Sequence, residues 1–244
     1  MIAASYSKGA DMKTEHAEAK QRLFDAAVSL FARKGYAAVG VREIATAAGA
    51  NLSTVSYYYG GKAGLHRAIV NEANSRAAKM LAEAGRGSAS AEEHVRNVAR
   101  GLVRFFRENT ELALVGFNTF PPPDDPETVA LGLKWGNEIS AQITGLYRKL
   151  GLDVDDPVQM GVVMHSLPMT VMTFFESIFA VEQTGAHARV VTPFQLDDAF
   201  FEHYAEHLAE LFLYGVTGMT RMSRESKGKR RARGAKSTGR ARST

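Results

Sequence analysis

Between residues 51 and 58 the chain sets out Asn51, Ser53, Thr54, Ser56, Tyr57 and Tyr58 around one apolar anchor, Val55. That is an amide and five hydroxyls in little more than two helical turns. Short hydroxyls can donate to or accept from base edges and phosphates, and a tyrosine hydroxyl reaches flanking phosphates. Bond-breaking chemistry would need a nucleophile, a base and an orienting group brought together, and no such spacing stands out. The chain has no cysteine. Disulfides, thiolate catalysis and sulfur-based zinc sites are therefore excluded. His203 and His207 stand at i, i+4 beside Glu202, Glu206 and Glu210, a spacing that could grip a metal. No third ligand is fixed by spacing, and a polar helix face explains the pattern, so neither a metal nor a cofactor is expected.

The hydroxyl-rich stretch needs elements that present it. Residues 41–48 read as a short helix whose inner face is Val41, Ile44, Ala45 and Ala48, ended by Gly49. Glycine accepts the left-handed backbone required to reverse direction there. A second short helix follows over 52–59 with Asn51 as its N-cap and Val55 turned inward. Two short helices about a tight turn form a helix-turn-helix, whose second helix enters the major groove. The plainer reading is an ordinary helical hairpin.

The rest of the chain also reads as helix, and no alternating strand pattern of useful length occurs, so the fold class is all-α. Helices are expected over 14–34, 62–84, 90–109, 110–119, about 126–150, 157–182 and 196–217, separated by punctuation such as Gly35, GRGSAS, PPPDDP and Gly151. Charge is partitioned sharply. Residues 1–80 hold 11 basic and 6 acidic side chains, residues 81–220 hold 9 and 19, and residues 221–244 hold 10 and 1. A basic head on an acidic body suggests that one end meets a polyanion. The tail from 221, rich in Arg, Lys, Ser and Gly, is expected to be disordered. The expected domains are an N-terminal arm (1–13), a helix-turn-helix domain (14–62), a helical body (63–220) and the basic tail. The first residues lack the apolar run of a signal peptide, and Met12 is a plausible second start. The apolar stretch 158–181 is long enough to span a bilayer. It carries Gln159, His165, Pro168 and Glu176, so a helix shared between subunits is the preferred reading, with a cytoplasmic, nucleoid-associated location and no membrane partner.

Two runs, LFDAAVSLFARKGY and VREIATAAGANLSTVSYYYGGKAGLHRAIV, resemble the TetR family of bacterial transcriptional regulators. The resemblance covers about Ala19 to Val70 without a gap. It implies that Tyr57 and Tyr58 face the DNA backbone while Tyr59 turns inward. Arg42 is then the best candidate for a bidentate guanine contact, the alternative being a surface ion pair with Glu43 or another neighbour. Lys62 is the candidate for a phosphate near a helix N-terminus, and Lys8 and Lys13 could reach the minor groove. Two positions depart from the family pattern. Gly40 stands where the second helix commonly has a Ser or Thr cap, and Tyr58 stands where His is common.

By the same resemblance the body supplies a dimer interface and a small-molecule pocket. Helices 157–182 and 196–217 can pair with their symmetry mates as a four-helix bundle, with Phe200, Tyr204, Leu208, Leu211 and Phe212 as a contact face. Pocket candidates are Phe117, Phe120, Trp135, Glu138, His165, Met169 and Phe174, which mix aromatic, flexible and polar groups. His165 precedes Pro168, which leaves the Met164 carbonyl without its helical partner. The expected protein is a homodimeric, effector-responsive regulator acting as a repressor on palindromic double-stranded DNA, and not an enzyme. The alternatives are a DNA-binding architectural protein without effector and a small helical enzyme. The tail has three readings: nonspecific DNA affinity by counterion release, which is preferred, binding to another acidic surface such as the chain's own body, or little effect.

Overall fold

A computed structural model describes the backbone over residues 3–118, 125–184 and 195–240, and side chains over 15–117, 125–183 and 195–222. The described residues form helices α1 (Ala3–Lys34), α2 (Val41–Ala47), α3 (Leu52–Tyr59), α4 (Lys62–Gly85), α5 (Ala91–Glu108), α6 (Thr110–Asn118), α7 (Pro126–Lys149), α8 (Pro157–Thr184) and α9 (Asp198–Arg240). No strand occurs among them. Most boundaries fall within two residues of the sequence expectation. The two ends differ. α1 begins at Ala3 rather than 14, and α9 runs to Arg240 rather than stopping near 217. The tail from 221, expected to lack structure, has a helical backbone as far as 240. No proline interrupts either extension, and Ala, Lys and Arg are strong helix formers.

Packing divides the chain into two units. The first comprises Met1–Lys79, Phe105–Asn137 and Phe174–Val191; the second comprises Met80–Arg104, Glu138–Thr173 and Thr192–Thr244. The expected boundary after residue 62 falls inside the first unit. Its core gathers Leu23, Ala27 and Phe31 of α1, Ile44 and Ala45 of α2, Val55 of α3, Leu65, Ile69 and Ala73 of α4, and Leu112 and Val115 of α6. Each full burial of such an aliphatic side chain contributes about 1.5–3 kcal/mol, so α2 and α3 are fixed from behind by the helices that flank them. α7 starts cleanly because Asp125 accepts from the Glu127 and Thr128 amides and from the Thr128 hydroxyl. Arg67 adds ion pairs to Asp125 and Glu127, each at 2.8 Å. These bonds hold the Asp125 carboxyl below its usual range, the Thr128 hydroxyl contributing most.

In the second unit, Val95, Val98 and Leu102 of α5 are buried, as are Leu146 and Tyr147 of α7, Val163, Leu167 and Val171 of α8, and Leu208, Phe212 and Val216 of α9. The Tyr147 hydroxyl donates to the Val163 carbonyl at 3.2 Å, and burial pushes its pKa up to about 12. Arg96 pairs with Glu206 and Glu210, and Arg100 pairs with Glu206. Those glutamates are thereby committed to arginines. His207 is turned back to the His203 carbonyl at 2.7 Å. The i, i+4 histidines thus sit on a helix face occupied by ion pairs, and no cluster suited to a metal occurs among the described residues.

Candidate nucleic-acid interface

The α2–α3 pair is built as its apolar spacing requires. Ile44, Ala45 and Ala48 are buried beneath α2, and Val55 is fully buried beneath α3. Between the helices, Gly49 adopts φ +60°, a conformation that costs an L side chain roughly 1–2 kcal/mol. The Ala50 amide then bonds the Ala45 carbonyl at 2.9 Å and closes the turn. At the far end Gly60 caps α3 in the left-handed conformation, its amide on the Ser56 carbonyl. Gly64 has a different reason to be glycine. A β-carbon there would lie 1.7 Å from the Tyr59 carbonyl oxygen, so the end of α3 and the first turn of α4 can approach only without one.

With the apolar side committed, Arg42, Asn51, Ser53, Ser56 and Tyr57 are exposed, while Thr54 and Tyr58 are half-buried. Tyr57 is 74% exposed, unusual for so large a ring. Glu43 is claimed by Lys34 at 2.6 Å, and that hydrogen bond lowers the pKa of the carboxyl. Arg42 makes no ion pair among the described residues, which removes the surface-pair reading with Glu43. Its backbone carbonyl accepts from Thr46 Oγ1 at 2.9 Å, and its side chain is exposed. Gly40 and Asn51 occupy the N-cap positions of α2 and α3, and neither supplies a side-chain cap bond. The Asn51 amide is therefore not consumed within the helix it starts. Lys8 and Lys13 carry side chains outside the described residues.

Tyr59 turns its ring onto the core and is half-buried, while its hydroxyl donates to the Lys20 carbonyl at 2.9 Å. Burial, with a smaller contribution from Asp25, pushes its pKa up to about 12. Lys62 does not stand free at the start of α4. Its ammonium lies 4.2 Å from the centroid of the Tyr36 ring, and burial lowers its pKa. Behind it, His66 is 1% exposed, against the rings of Phe31 and Tyr36. Its Nε2 has no hydrogen-bond partner.

The residues nominated for an effector pocket are distributed over both units. Phe117, Trp135 and Phe174 belong to the first unit, and Glu138, His165 and Met169 to the second. Phe117 lies against Phe105 and Phe106. Trp135 is buried and donates to Asn71 Oδ1 at 3.2 Å. Phe174 is half-buried and meets Phe175 edge to face. Glu138 and His165 are exposed, with His165 Nδ1 on the Gly161 carbonyl at 3.0 Å, and Met169 faces outward. Phe120 lies outside the described residues. A half-open cavity of about 450 Å³ does occur in the first unit, between Phe31 and Tyr36, Leu114 and Val115 of α6, and Glu176 and Phe179 of α8. None of the nominated residues lines it.

The face expected for subunit pairing is also rotated. Leu208 and Phe212 turn into the second unit, while Leu211 and Tyr214 stay 69% and 82% exposed. Val158, Val162 and Met169 of α8 are exposed as well. By length and composition α8 could cross a membrane, with a third of its most apolar window buried.

Buried anchors behind a surface of Arg42, Asn51 and hydroxyls define a helix-turn-helix of the nucleic-acid-binding type. The family model for bacterial regulatory proteins of the tetR family matches residues 23–69. Those residues belong to the TetR family of transcriptional regulators, and the helical fold around them is shared with solved regulators of that family. The probable HTH-type transcriptional regulator YttP of Bacillus subtilis is 43% identical over 53 residues, 22% of this chain. The match spans about a quarter (26%) of that relative's length. A tetR-family regulatory protein from Rhodococcus RHA1 superposes with a TM-score of 0.61 at 19% identity, over 81% of this chain and 96% of its own. The transcriptional regulator FadR of Bacillus subtilis, solved with stearoyl-CoA, gives 0.58 at 18% identity, over 80% and 98%. Identities this low speak to fold alone.

Proposed function

We propose that the protein is a homodimeric transcriptional regulator that reads a near-palindromic duplex and is released from it by a small-molecule effector, acting as a repressor. The observation that carries the reading is the outward set Arg42, Ser53, Ser56 and Tyr57 over the buried anchors Ile44 and Val55. One short recognition helix reads too few bases, whereas two on a symmetric dimer read half-sites roughly 34–36 Å apart or somewhat more. The exposed residues Val158, Val162 and Met169 of α8 and Leu211 and Tyr214 of α9 supply apolar surface for that pairing. The same pairing accounts for α8 without a bilayer.

An effector acts by preferring one of two arrangements, and the shift cannot exceed its differential affinity for them. The contacts suited to carry such a shift join α6 to α1. Glu111 of α6 accepts from Ser29 at 3.2 Å and pairs with Arg33 at 3.3 Å. Gly116 of α6 lets Ala73 of α4 approach so closely that a β-carbon on Gly116 would lie 2.2 Å from that of Ala73. The cavity beside Phe31 and Tyr36 touches both α1 and α6, which suits an effector of small apolar character. Selection of bound sites from a random duplex pool tests the reading. A recovered inverted repeat is expected; recovery of no preferred sequence overturns it.

A further inference from the structure

The three tyrosines of α3 are each met by α1, at two positions one helical turn apart. His16 stands edge-on to Tyr57 and Tyr58, with ring centroids 6.5 and 6.1 Å away. Those two rings meet each other at 4.9 Å. Four residues on, and so on the same face of α1, the Lys20 carbonyl accepts the Tyr59 hydroxyl, and the Lys20 ammonium lies 5.7 Å from the Tyr59 ring centroid. Aromatic pairs favour edge-to-face geometry at such separations and contribute beyond the area they bury. Tyr57 and Tyr58 have only partial support from the core, since one is exposed and the other half-buried. A free phenol on a surface helix samples several rotamers, and ordering it costs free energy at the moment of binding.

We propose that His16 is a positioning residue of the DNA-reading surface. Its imidazole closes an aromatic triad that fixes the Tyr57 and Tyr58 hydroxyls for phosphate before the duplex arrives. Lys20 does the same for Tyr59, holding the end of α3 against α1. The reading surface therefore begins upstream of the matched segment 23–69, on a part of α1 that the family match does not include. The inference rests on the DNA-reading function proposed above.

The experiment measures affinity for the duplex selected by the wild-type protein, and for a scrambled competitor, by fluorescence anisotropy. His16→Ala is expected to weaken the selected duplex roughly two- to tenfold, as the loss of such ring contacts implies, and to weaken the scrambled duplex by a similar factor, because the positioned hydroxyls meet phosphates that every sequence carries. His16→Phe, which keeps a ring, is expected to restore affinity. In a Tyr57→Ala/Tyr58→Ala background, His16→Ala is expected to have no further effect, because a positioning residue acts only through what it positions. Wild-type affinity in His16→Ala overturns the inference, and so does an equal loss in the double-alanine background. Melting followed through Trp135, the only tryptophan, checks that the exposed substitution leaves the first unit folded. If the wild-type chain selects no sequence, the DNA-reading function itself fails, which is a separate result.

Discussion

Acid should destabilise the first unit through His66, and replacement of that residue should remove the effect. The ring is buried against Phe31 and Tyr36 with Nε2 unpartnered. Burial is the main cause that lowers its pKa; Arg67 and Lys62 act in the same direction and Asp125 opposes them. The folded state therefore binds fewer protons than the unfolded chain over the interval between the lowered pKa and about 6.5, the ordinary imidazole value. Stability rises with pH wherever the unfolded state binds more protons. It must fall as pH drops below about 6.5, by at most about 1.4 kcal/mol per pH unit, until the folded pKa is reached. His66→Leu abolishes this slope. At neutral pH it also removes a buried polar atom without a partner, a group whose desolvation costs about 1–3 kcal/mol, so it should be neutral or stabilising there. The assay is urea unfolding at several pH values from about 5 to about 8, followed by Trp135 fluorescence, which reports on the first unit. His94, whose pKa is also lowered by burial, contributes equally to both proteins and cancels in the difference. An acid slope in His66→Leu equal to that of the wild type would refute the reasoning.

Arg42→Ala should cost about 1–3 kcal/mol of discrimination at one base position of the selected duplex, with little change for a scrambled one, as anisotropy would show. Leu211→Glu combined with Tyr214→Glu places two charges on the exposed stripe of α9 and should shift the species seen by sedimentation velocity from dimer to monomer. Gly116→Val puts side-chain atoms where a β-carbon already meets Ala73. Overpacking of this kind costs about 1–3 kcal/mol, to be read as a lowered midpoint in the same Trp135 assay.

The helix-turn-helix was legible in the sequence because its determinants are local. Ile44, Ala45 and Val55 fall at helical spacing on either side of Gly49, and the backbone can satisfy them in only one way. The pocket was not legible because its determinants are nonlocal. His165 and Met169 lie on a helix that is apolar around much of its circumference, so periodicity could not decide which residues turn outward. On α9 the error was one of rotation. Leu208, Leu211 and Phe212 are all apolar, and the choice of Leu208 and Phe212 for the interior depends on α7, where Tyr147 packs near Phe212. At the C-terminal end composition and backbone point different ways: residues 221–240 are rich in like charge, yet Ala, Lys and Arg are strong helix formers and the backbone there is helical. His16 is not legible in the sequence because its contact with Tyr57 and Tyr58 joins residues some forty positions apart.

Lys62 shows how the two kinds of information combine. Its position after Tyr59-Gly60-Gly61 implies a phosphate contact, yet the free chain folds its ammonium over Tyr36. A cation–π contact at a partly exposed site contributes about 0.5–1 kcal/mol, and a charge-assisted hydrogen bond to phosphate is the stronger interaction. Tyr36 also walls the cavity beside α6 and packs on His66. A ligand or a proton that displaces the Tyr36 ring would change what competes with phosphate for Lys62. The lysine is therefore joined to the buried histidine and to the cavity through a single aromatic ring.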